Sequence, residues 1–263
     1  KTAYEIKECD WSSDVCSSDL YANADLRKLA EKLALALLLP RFTPIRRESS
    51  PVAILTNARL GGADGILTLL GRLAQESAHA EIKGAPLLLW AHSRTGQLAA
   101  TFAGLHPERT IALVGYHTGS YGLAGPDMTT LTHIPVLLMQ QGIGPTLDVD
   151  TGVSIEKMAW RVGRAAGAPW TFAFEPDAAH QNPETLKTAN GLVLPWISAV
   201  FRQRLPENAQ GLRPVTETSA LLGDIETGKA VQATAFIGPK RDANWLPDEE
   251  SARGWELVTG VAR

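Results

Sequence analysis

A serine that could act as a nucleophile lies directly after the apolar run at residues 87–91. Such a run predicts a strand that is buried on both faces. Ser93 follows in a tight turn, and apolar periodicity over residues 97–105 predicts a helix. A strand, a sharp turn with serine at its tip and a helix form a nucleophile elbow, which lifts the hydroxyl above the sheet edge. The helix N-terminus then faces developing negative charge, so the chemistry predicted for Ser93 is acyl transfer.

A serine hydroxyl is a weak nucleophile until a base takes its proton, and a third group must hold the tautomer of that base. In a strand–turn–helix site of this kind the three groups follow one another in the order serine, acid, histidine. His180 lies in the segment after the apolar run 170–174, which predicts a strand. We therefore interpret His180 as the base that serves Ser93.

The acid is expected in the loop after the predicted strand 135–139. That loop carries Asp148, which is the first choice, and Asp150, which is the alternative. Both aspartates lie further from the strand end than the pattern leads one to expect. Glu175 is a less favoured substitute.

Negative charge on the reacting carbonyl oxygen needs preorganised N–H donors. The backbone N–H of Arg94, the residue after the nucleophile, is the first predicted donor. The second normally comes from a loop after an earlier strand, which should precede the helix predicted from Asp25. Residues 1–20 occupy that place, so we expect the chain as given to lack the second donor and the early strands of the sheet.

Two histidines near the predicted strand ends are candidate pocket residues. His92 directly precedes the serine and is interpreted as packing against the turn. His117 follows the predicted strand 111–116 and either lines the pocket or forms an interior hydrogen bond. The other histidines show no spacing typical of metal ligands, so the sequence predicts neither a metal site nor a cofactor.

Strands and helices are predicted to alternate along most of the chain. This alternation indicates an α/β fold, with a mainly parallel sheet and helices on both faces. A loop is predicted over residues 43–62, and a hairpin over 221–235. The remaining predictions are strands at 35–39, 87–91, 111–116, 135–139 and 170–174, and helices at 25–34, 66–74, 97–105, 155–166, 192–205 and 246–258.

Residues 1–20 resemble the in-frame translation of a sequencing adapter and are interpreted as a non-native segment. The predicted core is 21–205, truncated at its N-terminus, and residues 206–263 are predicted to be an accessory segment. Both cysteines of the chain lie in residues 1–20, so no disulfide and no thiolate nucleophile is predicted elsewhere.

Charge and hydropathy limit the predicted partners. The chain has 25 basic and 28 acidic residues. Residues 1–20 hold two of the former and five of the latter, so the rest has a net charge of zero. No apolar run approaches the ~18 residues that a membrane span needs. We predict a small-molecule ester as partner, with neither nucleic acid nor membrane. Composition fixes neither the oligomeric state nor the compartment, which is cytoplasmic or secreted.

The residues around the serine resemble a motif of the α/β-hydrolase superfamily, in particular its bacterial esterase and dienelactone-hydrolase-like members. Their motif is Gly-His-Ser-x-Gly-Gly-Gln, and this chain has Ala91-His92-Ser93-Arg94-Thr95-Gly96-Gln97. Of the two departures, Ala91 is mild because it is small. Thr95 is expected to crowd the helix against the strand because it is β-branched.

The resemblance covers about residues 25–205 and implies cleavage of a carboxylic ester through an acyl-enzyme, with Ser93 as nucleophile and His180 as base. Two other functions use the same residues. One is a noncatalytic binding protein of the same fold, which Thr95, the distant acid and the expected lack of the early strands favour. The other is a serine peptidase, which sequence cannot separate from an esterase.

Overall fold

The computed structural model describes residues 23–39, 62–93, 95–118, 128–143, 155–179, 183–205 and 211–259. Short 3-10 helices cover Ala80–Gly84, Pro107–Arg109 and Lys240–Asp242. The strands are β1 (Leu87–His92), β2 (Thr110–Tyr116), β3 (Val136–Ile143), β4 (Trp170–Ala179), β5 (Leu221–Asp224), β6 (Lys229–Gln232) and β7 (Ala243–Leu246). The helices are α1 (Ala24–Lys32), α2 (Gly62–Glu76), α3 (Thr95–Leu105), α4 (Met128–Leu131), α5 (Ile155–Ala165), α6 (Pro183–Arg204) and α7 (Glu249–Val258).

Strands β1 to β4 form one sheet in the order β1-β2-β3-β4, and all neighbouring pairs are parallel. The fold is therefore of the α/β type, as the alternation of strands and helices predicts. His92 at the end of β1 pairs with Tyr116, which in turn pairs with Met139. Strand β3 continues beyond that level to Ile143, which pairs with Ala179 of β4. The last two strands thus project beyond the ends of the first two.

Helices cover both faces of this sheet because successive strand residues point to opposite sides. Leu113 of β2 lies in one buried cluster with Ala103 of α3 and Trp160 of α5. The next residue, Val114, lies in another cluster with Trp196 of α6. Coverage of both faces explains why every residue of β2 is buried and why residues 111–114 are all apolar.

The predicted strand at residues 35–39 is wrong. These residues are described and contain no strand. The amide of Leu35 is used to close helix α1, since it donates to the carbonyl oxygen of Ala30 over 2.8 Å. Ala34 has a φ of 53°, and its N–H donates to Glu31, which completes a Schellman ending. A helix ending with a left-handed residue therefore replaces the entry into a strand.

Several predicted elements exist with different bounds. The predicted strands 135–139 and 170–174 extend to Ile143 and Ala179, into segments that contain both polar and apolar residues. The helix predicted from residue 192 begins at Pro183. The loop predicted at 43–62 lies outside the described residues up to position 61, and helix α2 begins at Gly62.

The C-terminal segment forms an antiparallel sheet of order β6-β5-β7, in which β5 and β6 form the predicted hairpin. Helix α7 begins at Glu249 rather than at 246, because the Asp248 side chain caps it by accepting from the amide of Ser251. None of the described helices has both the length and the apolar character needed to cross a bilayer.

Polar contacts join the C-terminal segment to the open edge of β4. The amide of Phe172 donates to Oδ1 of Asn244 over 2.6 Å, and Nε1 of Trp255 donates to the carbonyl oxygen of Phe172 over 2.8 Å. The hydroxyl of Thr171 donates to the carbonyl oxygen of Trp245. The segment thereby satisfies backbone groups that an edge strand would otherwise leave unpaired.

Candidate active site

Ser93 lies at the carboxyl end of β1, between the last strand residue, His92, and helix α3. Its φ is 53°, which is the left-handed region. This conformation costs an L-residue about 1–2 kcal/mol, so surrounding contacts must hold it. The Ser93 amide donates to the carbonyl oxygen of Tyr116 over 3.3 Å, and the Ser93 carbonyl accepts from the amide of Gly96 over 3.0 Å. The turn is therefore fixed to β2 at one end and to α3 at the other.

Ser93 is one of four non-glycine residues with positive φ in the described part of the chain. Ala34 and Ala78 follow the ends of α1 and α2, where a left-handed residue is common. Ser93 and His117, in contrast, follow the ends of the neighbouring strands β1 and β2. Such backbone conformations at strand ends are sparsely populated, and they concentrate at functional sites.

Thr95 forms two hydrogen bonds within the turn. Its hydroxyl donates to the carbonyl oxygen of His92 over 2.6 Å and accepts from the amide of His92 over 3.0 Å. The next residue, Gly96, lies close to the segment after β2: a Cβ on Gly96 would lie 2.6 Å from both Cβ and Cγ2 of Thr118. The Thr95 hydroxyl therefore stabilises the turn, and the crowding expected from its β-branched side chain stays a prediction.

A buried histidine and a buried carboxylate meet at the same edge of the sheet. Nε2 of His117 donates to Oε2 of Glu175 over 2.9 Å, and the two side chains are 0% and 4% exposed. His117 follows β2 and Glu175 belongs to β4, so the hydrogen bond crosses above β3. Of the two roles considered for His117, this geometry is the interior hydrogen-bonded one.

An aromatic row leads from the elbow to this pair. The ring centroid of His92 lies 5.9 Å from the ring centroid of Tyr116 and 6.2 Å from that of His117. The rings of Tyr116 and His117 are stacked, with centroids 3.9 Å apart and planes inclined by 22°. His92 is half-buried beside the turn, while Tyr116 and His117 are buried. Tyr116, the middle ring of the row, belongs to the buried cluster on the side of the sheet that α6 covers.

The structure describes part of the predicted catalytic set. Ser93, His92, His117 and Glu175 are described, and Glu175 contacts His117. Arg94, Asp148, Asp150 and His180 lie outside the described residues, as do residues 1–20. Their roles stay predictions. Within the described ranges, no three His, Cys, Asp or Glu side chains are grouped so as to hold a metal ion.

The buried pair has little signal in the sequence. Its two residues are 58 positions apart. Each residue by itself has the ordinary appearance of a polar residue after an apolar run. The register of three parallel strands, β2 to β4, is needed to bring them together, and sequence patterns do not give that register.

The described site can present a hydroxyl on a constrained turn, next to the N-terminus of a helix and above a buried polar layer. No family model, no curated protein and no solved structure matches this chain. The function must therefore be argued from the geometry of the described residues and from the residues that follow β3 and β4.

Proposed function

We propose that this protein is a serine hydrolase that cleaves a carboxylic ester through an acyl-enzyme. The observation that carries the proposal is the φ of 53° at Ser93, at the junction of a parallel strand and a helix. A strained serine at this junction is the mechanical feature of a nucleophile elbow. The Thr95 hydroxyl, which donates to the His92 carbonyl oxygen and accepts from the His92 amide, and the donating Ser93 amide hold that turn, so the strain has identifiable support.

The sheet supports a fold of the α/β-hydrolase type. Its strands follow one another in chain order, and the serine turn follows β1. Ligands of open parallel sheets bind at the carboxyl ends of the strands, which is the edge where Ser93 lies. The C-terminal ends of β3 and β4 lead directly to the segments that carry the proposed acid and base.

In the proposed mechanism Oγ of Ser93 attacks the ester carbonyl carbon while His180 takes the hydroxyl proton. The backbone N–H of Arg94 donates to the oxyanion of the tetrahedral intermediate. The protonated His180 then gives its proton to the departing alcohol, which leaves the acyl group on Ser93. Water then attacks the acyl carbon while His180 takes its proton, and the bond from that carbon to Oγ of Ser93 breaks. His180 returns the proton to Oγ as the acid leaves, and Asp148 or Asp150 holds the imidazole throughout.

For His180 to act on Ser93, its imidazole must reach from the end of β4 to the end of β1. Strands β1 and β4 are separated by three spacings of about 4.8 Å, or about 14 Å in total. His180 directly follows Ala179, the last residue of β4. Because β3 and β4 project beyond the elbow, residues after them must lean back across the sheet by about this distance for His180 to reach Ser93.

A fluorophosphonate probe tests the proposal directly, because it forms a phosphorus–oxygen bond with an activated serine and releases fluoride. We expect labelling of the wild-type protein at Ser93, and we expect Ser93→Ala to abolish both labelling and cleavage of a p-nitrophenyl ester. Ser77→Ala is a matched control, since Ser77 is a half-buried turn serine bonded to Leu73. Labelling and cleavage that survive Ser93→Ala would contradict the proposal.

A further inference from the structure

His117 has a backbone conformation that needs support. In a regular strand, successive side chains point to opposite faces of the sheet. Tyr116 and His117 are successive, yet their rings stack at 3.9 Å on one side. The left-handed φ of 50° at His117 produces this reversal. Like the φ of Ser93, it costs about 1–2 kcal/mol and persists because other contacts fix it.

The contact that fixes it is the hydrogen bond to Glu175. A buried carboxylate loses its hydration, and the partner that replaces water must be well placed. Oε2 of Glu175 accepts from Nε2 of His117, while its Oε1 is buried and has no hydrogen-bond partner among the described residues. The His117 amide also donates to the carbonyl oxygen of Met139 over 2.9 Å. The imidazole is thus attached to β4 and its backbone to β3.

The segment that this pair holds supports both ends of the serine turn. The carbonyl oxygen of Tyr116 belongs to the peptide that joins Tyr116 to His117, and it accepts from the Ser93 amide. Thr118, the next residue, packs its Cβ and Cγ2 against Gly96 at the start of α3. A rotation at His117 would therefore move the acceptor of the Ser93 amide and the surface against which the first turn of the helix packs.

We propose that His117 and Glu175 form a positioning pair that sets the orientation of the nucleophile, an inference that rests on the proposed function of Ser93. Neither side chain needs to touch the substrate. The pair acts by keeping residues 116–118 in place beneath the turn. Misplacing a reacting atom by about 1 Å can cost about 10²-fold in rate, so a loss of this support affects the chemical step more than substrate binding.

The first test removes the carboxylate. We expect Glu175→Ala to lower the rate of fluorophosphonate labelling and kcat for the ester by about 10–10²-fold, with KM little changed. Glu175→Gln should retain most of the rate, because its amide oxygen can accept the same hydrogen bond from His117. His117→Phe keeps the stacked ring but removes Nε2, and it should behave like Glu175→Ala.

Glu217→Ala is the matched control. Glu217 also accepts over 2.9 Å from a buried partner, Arg164, and belongs to the C-terminal segment. It should lower stability without slowing the labelling of folded protein. An equal loss of rate in Glu217→Ala would show that general destabilisation explains the effect, and it would overturn the inference.

A second measurement does not depend on activity. Hydrogen exchange at the Ser93 amide should accelerate in Glu175→Ala and in His117→Phe, but not in Glu175→Gln or Glu217→Ala, because opening of that hydrogen bond sets its protection. If the wild-type protein is not labelled at Ser93, the proposed function fails while the exchange result still tests the pair. Unchanged exchange at the Ser93 amide and unchanged labelling in Glu175→Ala would overturn the positioning role of the pair.

The glutamine variant also separates positioning from a direct role as the triad acid. Replacing a triad acid by its amide typically lowers kcat on the order of 10⁴-fold. A loss of that size in Glu175→Gln would assign Glu175 to the base and overturn the positioning role. If Glu175→Ala does not fold, Glu175→Gln and His117→Phe supply the same comparison with smaller changes in volume.

Discussion

Ser93 and His117 have the same type of backbone conformation at adjacent strand ends, but different surroundings. Ser93 is half-buried, whereas His117 is 1% exposed. The backbone conformation of Ser93 is held by hydrogen bonds of the Thr95 hydroxyl and of the Ser93 amide. The conformation of His117 is held by its hydrogen bond to the Glu175 carboxylate. Two costly conformations side by side indicate that the geometry of this edge is maintained for a reason other than stability.

The identity of the acid can be decided at the level of single residues. Of the two variants Asp148→Asn and Asp150→Asn, we expect the one at the triad acid to lower kcat on the order of 10⁴-fold, because the His180 imidazole loses its preferred tautomer. The same change at the other position should have little effect. Asp177→Asn is the control, since Asp177 is an exposed carboxylate of β4. Steady-state kinetics with a p-nitrophenyl ester provides the measurement, and normal kcat in both variants would remove the two aspartates from the mechanism.

Gly96 limits how the turn can be built. We expect Gly96→Ala to destabilise the protein by about 1–3 kcal/mol, since its Cβ would collide with Thr118 and something must shift. The displaced turn should also be labelled more slowly by a fluorophosphonate. Gly71→Ala serves as the control, because a Cβ there meets no atom within 4 Å. It should raise stability by up to about 1 kcal/mol through helix propensity. Urea unfolding of both variants gives the comparison.

At the scale of elements, the apolar runs identified the strands but not their lengths. The buried cores of β3 and β4 are visible in the sequence because both faces of the sheet are covered. Their polar ends, such as Gln141 opposite Glu175, pair in the same ladder without an apolar signal. The run at 35–39 is apolar too, but its first amide closes α1. Residues 35–39 are half-buried or exposed. An apolar run therefore does not by itself specify a strand, because the hydrogen-bond partners of its backbone decide the outcome.

Arg164 connects helix α5 to the C-terminal segment. Its guanidinium donates to the carbonyl oxygens of Ala168, Ala243 and Lys240 and to the carboxylate of Glu217. Burial lowers the pKa of this arginine below its ordinary value, and the hydrogen bond to Glu217 opposes the shift. The charge is therefore costly to bury and depends on its partners.

We expect Arg164→Met to lower the free energy of unfolding by about 3 kcal/mol, because it leaves three carbonyl groups without their donor. Arg164→Lys should retain only a small part of the stability that Arg164→Met loses, since an ammonium group cannot reproduce the planar set of donors of a guanidinium. Arg161→Met, an exposed position on the same helix, should change stability by less than about 0.5 kcal/mol. Denaturant unfolding measures all three, and an equal loss at both arginines would contradict the connection described for Arg164.

At the scale of the whole molecule, the sheet and the C-terminal segment share one core. Trp245 and Trp255 belong to the same buried cluster as Val114 of β2 and Trp196 of α6. The rings of Trp196 and Trp245 meet edge to face at 6.4 Å. The sequence predicted the hairpin and the helix of this segment, but the segment's contribution to the core depends on contacts between distant residues, which local patterns do not encode.

Removal of residues 206–263 tests how far the sheet depends on this segment. We expect the shortened chain to aggregate or to lose cooperative unfolding. The deletion exposes the cluster around Trp196 and removes the acceptors of the Phe172 amide and of the Thr171 hydroxyl. Single substitutions on α7 test the same dependence with a smaller change. Trp255→Ala should lower the free energy of unfolding by about 3–5 kcal/mol. Leu257→Ala should lower it little, because Leu257 is 74% exposed on the same helix.

Size-exclusion chromatography and near-ultraviolet circular dichroism distinguish the outcomes. A soluble monomer with a sharp unfolding transition after the deletion would mean that the sheet folds without the segment. If the segment supports the sheet, the ends of β3 and β4 also depend on it, because β4 is bonded to Asn244 and Trp255. Under the proposed function, Trp255→Ala should then slow fluorophosphonate labelling of Ser93 more than Leu257→Ala does, even at temperatures where both variants remain folded.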